Sequence, residues 1–162
     1  MGMTFTSRSP DETRRLGRRL GRLLQGGDVV GLVGELGTGK TLLVRGIAEG
    51  MGLSGRCVAS PTFVLLREYP GPLSLYHLDL YRVDDAAALA DLDVEALVDQ
   101  RHAVVVEWAE RLSLGPGFFT LSITLRHRGP EERDLELEGH GARGDQLLAS
   151  LAGMGEEFSH AG

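Results

Sequence analysis

A chain of 162 residues suits one domain, and its 42% hydrophobic content is enough for a core that needs no disulfide staples. The net charge of −6 argues against a surface dedicated to nucleic-acid phosphates, which requires clustered positive charge. No run of about 18 apolar residues is present to span a bilayer, Met1 to Pro10 lacks the apolar core of a secretory signal, and the single cysteine, Cys57, offers neither an internal disulfide nor a zinc cluster. A cytoplasmic protein is expected.

The basic residues are sixteen arginines and one lysine, Lys40; asparagine is absent and isoleucine occurs twice, a bias typical of GC-rich coding. The position of that lysine therefore carries information.

In chain order, Ser9-Pro10-Asp11-Glu12 opens a helix, with Ser9 as cap, Pro10 at the first helical position and Glu12 completing a capping box. Leu16, Leu20, Leu23 and Leu24 form its buried face, and Arg14, Arg15, Arg18, Arg19 and Arg22 read as a solvated face rather than an RNA patch. Gly26-Gly27-Asp28 stops it. Val29 to Val33 reads as a buried strand, followed by a glycine-rich loop and a helix from about Lys40 to Met51, ended by Gly52. Residues 62–69 and 73–81 read as paired strands around Pro70-Gly71-Pro72. Asp84-Asp85 starts a helical stretch with Leu89, Leu92 and Leu97 as its apolar positions. Ala103 to Val106 lacks alternation, as expected of a strand covered on both faces. Phe118 to Arg126 and Arg133 to Glu138 alternate and form a hairpin around Gly129-Pro130, and Gln146 to Leu151 is a short last helix. Residues 1–152 are thus expected to form one domain and residues 153–162 a disordered tail.

Gly34-Glu35-Leu36-Gly37-Thr38-Gly39-Lys40-Thr41 fits G-x-x-x-x-G-K-[ST], the phosphate loop. The glycines let backbone N–H groups converge on phosphate oxygens, and the helix that follows adds the positive end of its dipole. Lys40 supplies a compact charge to the β- and γ-phosphates, and the Thr41 hydroxyl can coordinate Mg²⁺. The motif should arise by chance in about 2 of 1,000 sequences of this kind. Here it lies between a strand and a helix and uses the only lysine of the chain.

Such a loop needs a carboxylate at a neighbouring strand end to organise metal and water. Asp79 and Glu107 both follow apolar strand sequence, and Glu107 has the more buried strand. His77 reads as a packed strand histidine. With no asparagine and its single lysine in the phosphate loop, the chain cannot carry the N/T-K-x-D guanine-reading motif of classical GTPases, and adenine is the expected base. A small-metabolite kinase is the alternative function; Arg126, Arg128 and Arg133 could serve as its lid.

Together, the phosphate loop, Ser60-Pro61-Thr62-Phe63, Tyr76-His77-Leu78-Asp79-Leu80-Tyr81-Arg82, and Val106-Glu107-Trp108 with Glu110-Arg111 resemble the bacterial TsaE family, from about Ser9 to Leu151. The resemblance implies an α/β fold: a single P-loop NTPase-type domain with a mixed, largely parallel central sheet flanked by helices. It implies a slow ATPase using ATP and Mg²⁺, which supports TsaB and TsaD in threonylcarbamoylation of adenosine 37 in tRNAs reading codons that begin with A. TsaD would transfer the group, tRNA contact would be indirect through the complex, and no membrane is involved. By motif position, Lys40 and Asp79 are catalytic; Thr41 and Glu107 hold the metal; and Glu35, Leu36, Gly37, Thr38, Gly39, Lys40, Thr41, Leu42 and Arg133 bind the nucleotide. Ser60 and Thr62 fall in a switch-like loop near the γ-phosphate, Ser9 to Thr13 is a candidate for one side of the adenine, and Trp108 matches a tryptophan important in the family. Leu42 and Val64 replace hydroxyl residues common in the family, which leaves the α-phosphate to the loop backbone.

Overall fold

The computed structural model describes residues 1–35, 37–54, 66–81, 92–153 and the backbone of 158–160. Residues Leu36, Cys57, Ser60, Thr62, Val64, Asp84, Asp85 and Leu89, which figured in the sequence reading, lie outside the described residues.

The strands are β1 (Gly2–Ser7), β2 (Val29–Val33), β3 (Leu66–Tyr69), β4 (Ser74–Asp79), β5 (His102–Glu107), β6 (Leu121–His127), β7 (Arg133–Gly139) and β8 (Phe158–His160). They form one mixed sheet in the order β3-β4-β5-β2-β6-β7-β1-β8. The four central strands β4, β5, β2 and β6 are mutually parallel, and antiparallel pairs close both sides of them. Helices α1 (Pro10–Leu23), α2 (Lys40–Gly50) and α3 (Gly141–Ala152) contribute to the core on one face.

The unalternating β5 is buried as expected. Ala103 and Val105 join the core beneath the helices, and Val104 and Val106 join a second core with Leu78, Leu80 and Phe119. In the hairpin, Leu121, Ile123, Leu125, Leu135 and Leu137 point into the helix-covered core, while the alternate positions Ser122, Thr124, Glu136 and Glu138 are half-buried or exposed.

Helix α1 begins as its sequence requires. The Ser9 hydroxyl accepts the Glu12 N–H at 3.2 Å, while the Glu12 carboxylate reaches back to the Arg8 N–H at 2.8 Å. Its glycines set the contact with α2. A Cβ on Gly17 would lie 2.5 Å from the Leu43 carbonyl oxygen, and one on Gly21 would lie 2.1 Å from that of Ile47. The two backbones therefore touch directly. Glu49 of α2 bridges Arg14 and Arg18 of α1, so part of the arginine face is an interhelical ion-pair site. This contact fixes α2 and with it the loop that α2 follows.

Three segments depart from expectation. Gly2–Ser7 is a strand, with Met3, Phe5 and Ser7 buried in strict alternation. The last helix starts at Gly141, earlier than its apolar spacing suggested, because the first turn, Gly-Ala-Arg-Gly, carries no periodic signal. The tail expected to be disordered supplies β8, which pairs with Met3, Thr4 and Phe5 and so satisfies the otherwise open backbone edge of β1. Among the positions around Leu97, Glu95–Leu97 forms a single 3-10 turn.

Candidate functional site

Strand β2 ends at Val33 and α2 starts at Lys40, and the turn between them is held open by glycines in conformations that a side chain disfavours. Gly37 and Gly39 have φ values of 77° and 101°. Gly39 is also the N-cap of α2, so the free N–H groups of the first helical turn face the loop. Thr38 tightens the turn by donating from its hydroxyl to the Glu35 carbonyl at 2.7 Å. The first turn of α1 lies alongside: a Cβ on Gly39 would meet the Thr13 methyl at 3.9 Å.

Lys40 folds back over the loop and donates from Nζ to the carbonyls of Gly34 and Glu35, the latter at 2.9 Å. It is 5% exposed. Burial pushes the ammonium pKa below its ordinary value, against the opposing pull of Glu107, Glu110, Asp79 and Glu35.

The parallel register of β4 and β5 places Asp79 opposite Glu107. Both carboxylates are buried at the carboxyl ends of central strands, 5% and 2% exposed. Thr41, one residue beyond the lysine, donates its hydroxyl to Glu107 Oε1 at 3.2 Å. Asp79 Oδ1 accepts the Tyr81 N–H at 3.0 Å. A hydroxyl and a buried carboxylate in contact, with a second carboxylate on the next strand, form a hard oxygen donor set, which suits Mg²⁺ better than a soft metal. Lys40, Thr41, Asp79 and Glu107 are therefore gathered at one end of the sheet. Leu42 follows them in the first turn of α2, half-buried.

Arg133 reaches the loop from the start of β7. Its Nε and Nη2 donate to the carbonyls of Thr38 and Gly37, both at 3.2 Å, and its Nη1 to carbonyls of the β6–β7 turn. It ties hairpin to phosphate loop through backbone oxygens. Arg126 pairs with Glu136 and Arg128 with Asp134, so both are held along the hairpin.

Sequence reasoning missed the contact made by His77 and the backbone conformation of Trp108. His77 does more than pack: its Nε2 lies 2.5 Å from Glu107 Oε2. A histidine two residues before an aspartate on a strand shares that aspartate's face, which was the available signal. Trp108 adopts a left-handed conformation, φ 59° and ψ 42°, rare for a residue with a bulky side chain. Its ring lies 4.3 Å from Lys40 Nζ and 5.0 Å from the Tyr81 ring. A cleft of about 580 Å³ opens beside it, lined in part by Glu35, Thr38, Glu110, Thr124 and Arg126.

The chain is similar to known proteins over most of its length. The family model described as threonylcarbamoyl adenosine biosynthesis protein TsaE matches residues 7–135. The tRNA threonylcarbamoyladenosine biosynthesis protein TsaE of Treponema pallidum is 39% identical over 133 residues, covering 82% of this chain and 98% of that protein. The protein of the same name from Bacillus subtilis is 34% identical over 145 residues, covering 89% and 90%. The crystal structure of Bacillus subtilis YdiB superposes with a TM-score of 0.77 at 29% identity, covering 95% of this chain and 96% of that one.

Proposed function

The chain belongs to the TsaE family, threonylcarbamoyl adenosine biosynthesis proteins, and on that premise we propose that it binds ATP with Mg²⁺ and hydrolyses it slowly in support of a TsaB–TsaD complex. The observation that carries the reading is the contact between Thr41, the residue after the loop lysine, and the buried Glu107. A phosphate loop alone binds phosphate; a loop threonine joined to a buried carboxylate adds a place for the metal that accompanies a nucleoside triphosphate.

Each residue has a task in this reading. The loop N–H groups and Lys40 bind the phosphates, and Lys40 stabilises negative charge as the terminal phosphoryl group leaves. Thr41 and Glu107 would hold Mg²⁺, which when bound compensates charge on the phosphate oxygens. Asp79, on the same sheet face as Glu107, orders the water that attacks. Arg133 keeps the loop carbonyls turned toward itself, so that the loop N–H groups face the ligand. TsaD would carry out the threonylcarbamoyl transfer to adenosine 37, and tRNA would be met through the complex. Among the described residues no helix is long and apolar enough to cross a membrane, and we place the protein in the cytoplasm, where its tRNA pathway requires it.

Phosphate release from ATP, measured for the protein alone and with purified TsaB–TsaD, tests the proposal. Slow release that the complex accelerates is expected. A rate unchanged by the complex contradicts the coupled ATPase, and phosphate transfer to a small acceptor in its absence favours a kinase.

A further inference from the structure

We propose that His77 is a positioning residue that fixes the Glu107 carboxylate for the metal; this rests on the Mg²⁺–ATP reading above. His77 is fully buried on β4, and Glu107 is the last residue of the adjacent strand β5. The two carboxylate oxygens of Glu107 are engaged from opposite elements. Oε1 accepts from the Thr41 hydroxyl of α2 at 3.2 Å, and Oε2 faces His77 Nε2 at 2.5 Å. Glu107 is thus held from the helix on one side and from the sheet on the other, which leaves its rotamer little freedom. Each carboxylate oxygen still has lone-pair capacity beyond these contacts, since an ionised carboxylate offers about four acceptor sites.

Packing alone does not account for a histidine here. Its neighbours on the same sheet face, Leu75 on β4 and Val105 on β5, are apolar and lie in the core under the helices. Among the described residues, His77 Nδ1 has no hydrogen-bond partner. A buried polar atom left unpaired costs stability, whereas an apolar side chain of similar size would not incur that cost. The polar contact that offsets the cost is the one to Glu107. A carboxylate oxygen accepts, so Nε2 is the donor in this contact and Glu107 Oε2 the acceptor. A ligating carboxylate oriented by an outer hydrogen-bond donor is a recurrent arrangement at metal sites, and loss of such a donor typically weakens metal binding by about 10–100-fold.

The test is a titration of Mg²⁺ against binding of a fluorescent ATP analogue. It uses the full chain carrying His77→Leu, His77→Gln or neither, with thermal melting as a check on folding. Wild type should bind the analogue more tightly as Mg²⁺ rises. His77→Leu should raise the half-saturating Mg²⁺ concentration by about 10–100-fold, with metal-free affinity within about two-fold of wild type. His77→Gln, whose amide nitrogen reaches the Nε2 position, should recover most of the loss. In a Glu107→Gln background, His77→Leu should have no further effect on the Mg²⁺ midpoint. Where His77→Leu yields no folded protein, His77→Asn makes the same test, because its shorter amide stops near the Nδ1 position. An unchanged Mg²⁺ midpoint in the Leu or Asn variant overturns the proposal. So does an equal loss of affinity with and without Mg²⁺, which marks a purely structural role. A wild-type protein whose nucleotide binding ignores Mg²⁺ overturns the underlying Mg²⁺–ATP reading instead.

Discussion

The ammonium of Lys40 lies 4.3 Å from the centre of the Trp108 ring, so the phosphate loop is in contact with the residue that directly follows Glu107. A cation over an indole face is attracted by the ring quadrupole. The contact is made possible by backbone strain: the left-handed conformation of Trp108 turns the chain sharply as it leaves β5. Such a conformation costs a non-glycine residue about 1–2 kcal/mol. The arrangement links three groups: the loop lysine, the strand that ends in Glu107 and an aromatic ring at the rim of the cleft.

Lys40→Ala should lower phosphate release by about 10²–10³-fold, the usual cost of losing a preorganised contact to developing charge. Lys40→Arg should fail as well. The ammonium is enclosed by the carbonyls of Gly34 and Glu35 and by the Trp108 ring, a space too small for a planar guanidinium. The measurement is phosphate release in the presence of TsaB–TsaD, and near-wild-type rates in either variant would remove the loop from the mechanism.

Gly21→Ala should destabilise the protein at the upper end of the ~1–3 kcal/mol typical of overpacking. Its new methyl group would lie 2.1 Å from the Ile47 carbonyl oxygen, so α1 and α2 must separate. Because α2 begins at the phosphate loop, nucleotide affinity should fall together with the melting temperature. Chemical denaturation of the two proteins gives the stability difference, and a change below about 0.5 kcal/mol, the range of neutral surface substitutions, contradicts the tight helix contact.

Much of this was legible in the sequence. The unalternating run Val29 to Val33, the glycines after it and a single lysine marked strand, loop and helix from local chemistry alone. The meeting of Asp79 with Glu107 was not, because it depends on the parallel register of β4 with β5, which no local pattern specifies. The hydrogen bond of His77 was hidden for a similar reason: a packed histidine and a hydrogen-bonded one have the same sequence signature. Arg133 was read as a ligand contact, but its attachment to Gly37 and Thr38 carbonyls follows from the hairpin folding back over the loop. Strand β1 was missed because Thr4, Thr6 and Ser7 dilute the two apolar residues, Met3 and Phe5, that define its buried side.

His102 should make stability depend on pH. Its ring stacks on Tyr76 at 3.9 Å, with Asp99 2.8 Å from Nδ1 and Glu68 3.1 Å from Nε2. Burial disfavours the charged ring, but the two carboxylates outweigh it and hold the imidazole pKa above 6.5. Asp99, hydrogen-bonded by His102 and by the Arg101 N–H, is held below 3.8. The folded protein therefore binds the imidazole proton more tightly than the unfolded chain does. That stabilisation is complete below about pH 6.5 and is lost as pH rises through the raised folded value; the Asp99 contribution is lost as pH falls below about 4. His102→Phe, which keeps the stack on Tyr76, should lower the melting temperature more at about pH 5.5 than at about pH 9. An equal deficit at both pH values would show that only packing is lost.

Trp108→Ala separates nucleotide binding from communication with a partner. The indole contacts Lys40 on the loop side and Tyr81 on the strand side, and it borders the open cleft. The described side-chain hydrogen bonds of Thr41 and Glu107 are made to each other and to His77, not to the ring. Affinity for ATP should therefore stay within a few-fold of wild type. Acceleration by TsaB–TsaD should fall by about 10-fold or more, equivalent to ~1.4 kcal/mol of the barrier, because the ring both contacts the loop lysine and lines the cleft. In related phosphate-loop enzymes a partner's arginine contributes about 10³–10⁵, so a loss of this size is readily detected. Trp108→Gly serves as the control for backbone strain, since glycine adopts the left-handed conformation without cost. Equal loss of stimulation in the Ala and Gly variants assigns the effect to the ring, whereas rescue by Gly assigns it to the backbone turn after Glu107. Loss of ATP binding in both would make Trp108 part of the nucleotide site and refute its role as a coupling residue.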